Sequence, residues 1–351
     1  QQKLVADAWC AAFVWPKQPG ELADVAPTNE LWRQLRDRQG QRLVLSEKTI
    51  CELASQYHFF HWHLAFPQVF SKGGFDVVLG NPPWERVKLQ EQEFFASRSH
   101  EIAAAANSAS RKKLIAALPS VQPELWRAWC EASREAEGQS HFARNSERYP
   151  LCGTGDVNTY ALFAEHNRTV LSLGGRAGFI VPTGIATDDT TKRYFQSLVD
   201  GARLAALFDF QSGPGLFGAI GHGTFKFCLL TVSGAPLAEG ATLSFYSRTV
   251  EAARSPAALF GLAAADFAVL NPNTRTCPTF RSRRDAELNL VMYRRAGVLW
   301  QEDGPNGNPW GLQIRTRLWH MAEDAAHFRL SSELRAAGWL REGNRYVSQG
   351  L

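Results

Sequence analysis

Ten residues, Phe75-Asp-Val-Val-Leu-Gly-Asn-Pro-Pro-Trp84, bring together the groups of this chain best suited to chemistry. Asn81 offers a side-chain carbonyl oxygen and Pro82 a backbone carbonyl oxygen next to it. Two acceptors so placed can each take one N–H of an exocyclic amine on a planar ring. Together they draw the nitrogen lone pair out of conjugation with the ring and make it nucleophilic. Trp84 adds a flat face on which the ring can stack, worth about 1–3 kcal/mol for a base.

These groups need a rigid support, and the preceding residues describe one. Val77, Val78 and Leu79 form an unbroken apolar run, which predicts a parallel strand covered on both faces. Gly80 lets a partner approach the backbone. Pro82 and Pro83 cannot continue a sheet and fix the backbone just past the strand end. In an open α/β sheet the carboxyl ends of the strands are where ligands bind.

The rest of the chain supplies alternating helices and strands. Residues 3–15 have helical spacing, with Leu4, Val5, Ala8, Trp9, Ala12 and Phe13 on one side. Thr28 is expected to cap a short helix through Leu35, and Ser46 another through Tyr57. Residues 85–150 read as a helical insertion with helices over Glu91–Leu118 and Glu124–Glu137. A helix over 157–173, with Asp156 as its N-cap, precedes a strand at 176–182, a helix at 188–200 and strands at 203–210 and 223–232. Residues 240–250 read as a further strand and Ser282–Arg295 as a helix. The expected fold class is α/β. The expected division is a helical lead-in at 1–74, a core at 75–250 and a connector at 251–351.

The turn at Asn81–Trp84 resembles motif IV of the amino-methyltransferases, the Asn-Pro-Pro-aromatic signature. Further segments extend the likeness: His61-Trp62-His63-Leu64 upstream, Gly155-Asp156-Val157-Asn158-Thr159-Tyr160 and Gly178-Phe179-Ile180-Val181-Pro182-Thr183-Gly184 downstream, then Asn271-Pro272-Asn273-Thr274 and Phe280-Arg281-Ser282. Together they resemble the large γ-group N6-adenine DNA methyltransferases, the type IIG restriction–modification proteins and related phage-defence enzymes. The resemblance runs from about Lys3 to about Arg329. It implies a Rossmann-like class I sheet and a target-recognition region beyond residue 251. It implies S-adenosylmethionine as cofactor and double-stranded DNA as partner, with other defence-system proteins as further partners. It places Asn81, Pro82, Pro83 and Trp84 in the catalytic turn. No metal or strong base is required, because the methyl donor is an activated sulfonium. The family stacks the target base on a second aromatic near the strand at 223–232. Phe227 or Phe225 fits that part. Asp76 either holds a cofactor-side contact, as Asn81 also can, or is a structural, hydrogen-bonded carboxylate.

One departure stands out. The family carries its Gly-rich cofactor loop upstream of motif IV, and residues 1–74 contain no strand–Gly-x-Gly–helix unit. Gly153-Thr154-Gly155 and Gly221-His222-Gly223 both read as loops, and a lone Gly-x-Gly is weak evidence. The expectation is a piece of a longer protein that begins after the cofactor-binding half. A protein-glutamine or RNA N-methyltransferase shares the same turn and is the alternative substrate reading. A catalytically silent DNA-binding or scaffold segment is the alternative of another class.

Composition bounds these readings. The 351 residues are 45% hydrophobic and 21% charged, as in an ordinary globular protein, and the net charge of +4 permits a polyanion without requiring one. The 6 cysteines form no C-x-x-C pair, which suits a reducing cytoplasm better than a disulfide framework. No run of about 18 apolar residues calls for a membrane span. His58, His61 and His63 match no zinc spacing and are expected to pack or bond to backbone, so no metal is expected. Basic clusters stand at Arg111-Lys112-Lys113, Arg281/Arg283/Arg284 and Arg315/Arg317. The Pro-Asp dipeptide of the common nuclease signature is absent from the sequence.

Overall fold

The computed structural model describes residues 1–16, 20–37, 44–212, 216, 225–304, 307–315, 317–321 and 323–348. Two compact units divide the chain, Gln1–Val298 and Leu299–Leu351. The first is built on a six-stranded mixed sheet. Its strands are β1 (Phe75–Gly80), β2 (Leu171–Pro182), β3 (Leu204–Gln211), β4 (Lys226–Ser233), β5 (Ala241–Ser247) and β6 (Phe260–Leu262). Their spatial order is β1-β2-β4-β3-β5-β6. β1 runs parallel to β2, and β3 parallel to β5; β4 lies antiparallel between β2 and β3. The architecture is α/β and Rossmann-like, as expected. Gly221-His222-Gly223, expected as a loop, lies outside the described residues.

The sheet core is continuous. Ala177, Phe179 and Val181 of β2 pack with Leu230 and Val232 of β4 and with Leu207 and Leu243 of the neighbouring strands, all buried. The helices Thr159–Thr169 and Lys192–Asp200 cover this core through Tyr160, Ala164, Tyr194 and Phe195. The Tyr194 hydroxyl, fully enclosed, donates to the Ala164 carbonyl at 3.0 Å and joins the two helices. Gly74 turns the chain into β1 at φ +122, and a Cβ there would meet the Val170 carbonyl at 2.6 Å.

Several expectations need correction. β1 is not covered on both faces: Val77 is 63% and Leu79 78% exposed, because β1 is an edge strand that turns Val78 toward the core. Asp156 does not cap the helix that follows; Asn158 occupies the N-cap position without a side-chain cap bond, and the helix begins at Thr159. Ser46 lies inside the helix Val44–Gln56 and donates to the Val25 carbonyl at 3.0 Å. Thr28 does cap, accepting the Leu31 N–H at 3.2 Å. The stretch expected as one helix over Glu91–Leu118 is broken into Glu91–Ala96, His100–Ala103 and Ser108–Val121. The breaks fall at Ser99 and Asn107, whose side chains cap the helices that follow them. Phe94, Phe95, Ile102, Ile115 and Leu118 give this insertion a core of its own.

The N-terminal helices pack around Ala8, Ala11, Trp15, Ile50 and Leu53. Ala8 and Ala11 are buried in that cluster, whereas Trp9 and Phe13 turn to Phe142 of the insertion at ring distances of 5.8 and 5.4 Å. The helix Gln2–Val14 therefore buries two sides rather than one. In the second unit, β7 (Trp339–Glu342) and β8 (Arg345–Ser348) form a hairpin that follows the helix Ser331–Ala336.

Candidate functional site

The Asn81–Trp84 turn leaves the sheet at the carboxyl end of β1, where the strand predicts it. Asn81 is exposed, and a Cβ on Gly80 would meet nothing within 4 Å, so the strand tip stands open. Hydrogen bonds from residues 157–159 hold the turn from behind. The Thr159 hydroxyl donates to the Pro83 carbonyl at 2.7 Å and accepts the Glu85 N–H at 3.1 Å. The Thr159 N–H donates to the Glu85 carbonyl at 2.9 Å, and the Val87 N–H to the Val157 carbonyl at 2.9 Å. The helix Thr159–Thr169 thus fixes Pro83 while the Asn81 side chain and the Pro82 carbonyl take no part in those bonds. The Trp84 indole N–H donates to the Ile180 carbonyl of β2 at 3.3 Å, yet 39% of the residue remains exposed. One edge of the indole is anchored while part of its surface stays open to solvent.

The two aromatic candidates on β4 separate clearly. Phe227 is 6% exposed and stacks on Phe210 of β3 at 5.4 Å with planes 14° apart. Phe225 precedes the strand and is 60% exposed, with its carbonyl accepting the Ser212 N–H at 2.8 Å. Asp76 lies at the other end of β1 and accepts a hydrogen bond from Ser172 at 3.1 Å. Five residues of extended strand, about 16 Å, separate it from Asn81. The structure therefore brings Asn81, Pro82, Pro83 and Trp84 together at one edge and leaves Asp76 elsewhere.

Three features of this edge were not legible in the sequence. Thr159 stands 76 positions from Pro83 and carries no signal of its own. Asp209, 1% exposed, accepts from the Thr183 hydroxyl and, at 2.9 Å, from the Tyr246 N–H. That one carboxylate ties the carboxyl ends of β2, β3 and β5. Tyr246 sits in a bulge of β5 at φ +60, a left-handed conformation unusual for a residue with a side chain. Cys228 lies on β4 close to this network, and burial followed by the nearby Asp209 charge pushes its thiol well up, which keeps it protonated and unreactive.

His61 has a structural partner: its Nε2 meets the buried Asp7 at 2.8 Å. Among the described residues, no three His, Cys, Asp or Glu side chains gather as a metal-ligand set. Among the described residues, no helix is long and apolar enough to cross a membrane. Arg111 of the first basic cluster is buried, donates to the Ile102 carbonyl and faces Glu91, so it holds the insertion together. A cavity of about 660 Å³ runs along the outer face of helix Thr159–Thr169, lined among others by Trp62, Phe142, Tyr149, Phe163 and His166, and not by the motif turn.

The family model of the Eco57I restriction-modification methylases matches residues 21–116, a segment that contains Asn81–Trp84 and is less than half of the chain. No curated protein matches. Among solved structures, the ATP-dependent type ISP restriction-modification enzyme LlaBIII is 12% identical over 59% of this chain and 12% of its own, with a TM-score of 0.26. The type IIG restriction endonuclease BpuSI is 13% identical over 69% of this chain and 38% of its own, with a TM-score of 0.25. A modification subunit of a putative type I restriction enzyme from Vibrio vulnificus YJ016 is 14% identical over 69% of this chain and 63% of its own, with a TM-score of 0.24. The chain thus spans less than two thirds of each of these structures, and likeness at such scores assigns no activity.

Proposed function

We propose that this chain carries the target-base half of an S-adenosylmethionine-dependent, adenine-specific DNA N6-methyltransferase of the restriction–modification or phage-defence kind. The observation that carries the reading is the Asn81-Pro82-Pro83-Trp84 turn, open at the strand tip and fastened from behind by Thr159. The match of residues 21–116 to a restriction-modification methylase family supports it.

Each residue then has a defined task. An adenine is flipped out of the duplex at a cost of a few kcal/mol. The Asn81 side-chain oxygen and the Pro82 carbonyl oxygen accept hydrogen bonds from the two N6–H groups and aim the lone pair out of the ring plane. The Thr159 bond to Pro83 keeps the Pro82 carbonyl in place, so little reorganisation is needed when the base arrives. Trp84 stacks on one face of the base. Phe225, exposed and at the same sheet edge, stacks on the other; Phe227 supports it from the core through its stack on Phe210. When bound, S-adenosylmethionine supplies an activated methyl group.

The described residues fit the acceptor side of that reaction and not the cofactor itself. No Gly-rich strand–turn–helix unit occurs among them, and Asp76 faces Ser172 at the far end of β1. The cofactor's adenosyl group is therefore assigned no binding residue. A protein-glutamine or RNA substrate would use the same two carbonyls, and no further feature of the site favours it.

The test is transfer of labelled methyl from S-adenosylmethionine to unmethylated DNA by the full-length protein, beside its Asn81→Ala variant. Label recovered as N6-methyladenine, and lowered at least about 100-fold in the variant, is the expected result, in line with removal of one preorganised polar group at a reaction centre. Label on protein or RNA instead would move the substrate assignment, and no label on any acceptor would favour the scaffold reading.

A further inference from the structure

We propose that Lys226, Tyr246 and Arg281 form a clamp for the phosphodiester backbone of the nucleic acid whose base enters the Asn81–Trp84 turn. The inference rests on the nucleic-acid reading above and adds residues which that reading does not use.

Two cations share one aromatic ring. Lys226 Nζ lies 5.0 Å from the centroid of the Tyr246 ring, and Arg281 Cζ lies 4.9 Å from it. The two charges are no farther apart than the sum of those distances. Both residues are exposed, and among the described residues neither meets a carboxylate. Their neighbours behave differently: Arg283 is paired with Glu287 at 2.8 Å and Arg275 with Asp200. The ring holds the two cations side by side, and with no carboxylate beside either among the described residues a single phosphate can pair with both.

The platform beneath them is rigid. The Tyr246 N–H donates to the buried Asp209 at 2.9 Å, and the hydroxyl shares a hydrogen bond with Thr279 at 3.0 Å. The bulge in β5 and the positive φ of Tyr246 aim the ring where regular pairing would not. Backbone strain of this sort persists where the surroundings over-determine it. Asp209, which supplies that constraint, also holds Thr183 at the end of β2. The clamp is thus built onto the same strand ends as the motif turn.

Placement argues for a polymer rather than a small anion. Strand order β1-β2-β4-β3-β5 puts Lys226 two strand spacings and Tyr246 four spacings from β1. At about 4.8 Å per spacing the clamp begins about 10 Å across the sheet from the motif strand and extends to about 19 Å. A mononucleotide with its base in the turn does not span to the far end of the clamp, about 19 Å away, whereas a strand carries its flanking phosphates over that distance. Phosphate contacts of this type set position without reading sequence.

The experiment is a salt titration of DNA binding, followed by fluorescence anisotropy, on the wild-type chain, the double variant Lys226→Gln/Arg281→Gln and a control, Arg283→Gln. Thermal melting of each variant verifies that these exposed substitutions leave the fold intact. The slope of log Kobs against log salt should become shallower by about 1.8 in the double variant, at about 0.9 for each phosphate no longer neutralised. The weakening should be the same on duplexes with and without adenine, and the control should not move the slope. An unchanged slope in the double variant would overturn the clamp, as would a wild-type chain that does not bind DNA at low salt. Either result is separable from failure of the adenine reading, which is decided by methyl transfer and Asn81→Ala and does not depend on the slope.

Discussion

The two edges of the six-stranded sheet are finished in opposite ways. At one edge, β5 is flanked by the three-residue β6, and Leu243, Phe245, Phe260, Leu262 and Phe267 are all buried there. At the other edge, β1 pairs among the described residues only with β2, and Val77 and Leu79 stand 63% and 78% exposed. The sequences of β1 and β5 are of similar apolar character, so residue type did not set the difference. The sealed edge gives mechanical support to the cation-bearing Tyr246. The bare edge carries the motif turn, whose rigidity comes instead from Thr159 and from the aromatic cluster of Trp62, Phe66 and Phe70 around Phe75. One strand end is thus braced from below by a core and the other from behind by Thr159 and its neighbours.

The contrast can be broken most directly by truncation. Leu243→Ala, at a fully enclosed position, should cost about 2–5 kcal/mol in urea unfolding, while Leu79→Ala should stay within about 0.5 kcal/mol. Equal losses would mean that β1 is covered in solution. A smaller effect is expected behind the turn. Thr159→Val keeps the shape and removes the bonds to Pro83 and Glu85, for a loss of about 1–2 kcal/mol in stability and a larger proportional loss in methyl transfer by the full-length protein. If methyl transfer fell no more than stability explains, Thr159 would be a structural residue only.

Leu79→Lys tests the bare edge in another way. An open, apolar edge strand is a template for pairing between chains, and a charge on it should lower concentration-dependent association in sedimentation without changing the melting temperature. Association unaffected by the charge would show that this edge is not where copies meet. The smallest effect is a pH dependence beside β1. Burial, with a lesser contribution from the positive charge of Arg148, holds the His166 imidazole below its ordinary value. The unfolded chain then takes up the proton first. The stability this histidine allows is present at pH 7 and is lost as pH falls from about 6.5 through the lowered folded value. His166→Phe should flatten that part of the stability–pH curve, and an unaltered curve would show that His166 does not report on this side of the sheet.

Much of the scaffold was legible from local pattern. The strand at 75–80, the turn after it, the later strands of the sheet through Ser247 and the helix Arg283–Ala296 follow from apolar periodicity, whereas residues 171–173, expected at the end of a helix, open β2. The misreadings also have local causes. Ser46 looks like a cap, but its hydroxyl finds Val25, a partner 21 residues away. Ser99 and Asn107 sit within a helical composition that hides their capping role, so the insertion reads as a longer helix than it is. Phe225 and Phe227 are two positions apart and would share a face within one strand, but β4 begins at Lys226, so Phe225 stays exposed while Phe227 is buried against Phe210.

The sequence by itself determined the chemistry on offer: an amide oxygen, a proline carbonyl and an indole in four consecutive residues, at the end of a strand. Consecutive residues need no folding to be neighbours, so that motif is readable in one dimension. Tertiary structure alone decided the rest. It set which strand lies at the edge, that Thr159 stands behind Pro83, that Asp209 ties three strand ends together and that Lys226 and Arg281 meet over Tyr246. Thr183 and Asp209 are 26 positions apart and Pro83 and Thr159 are 76 apart. The energies of such pairings depend on distances through space that no local propensity encodes.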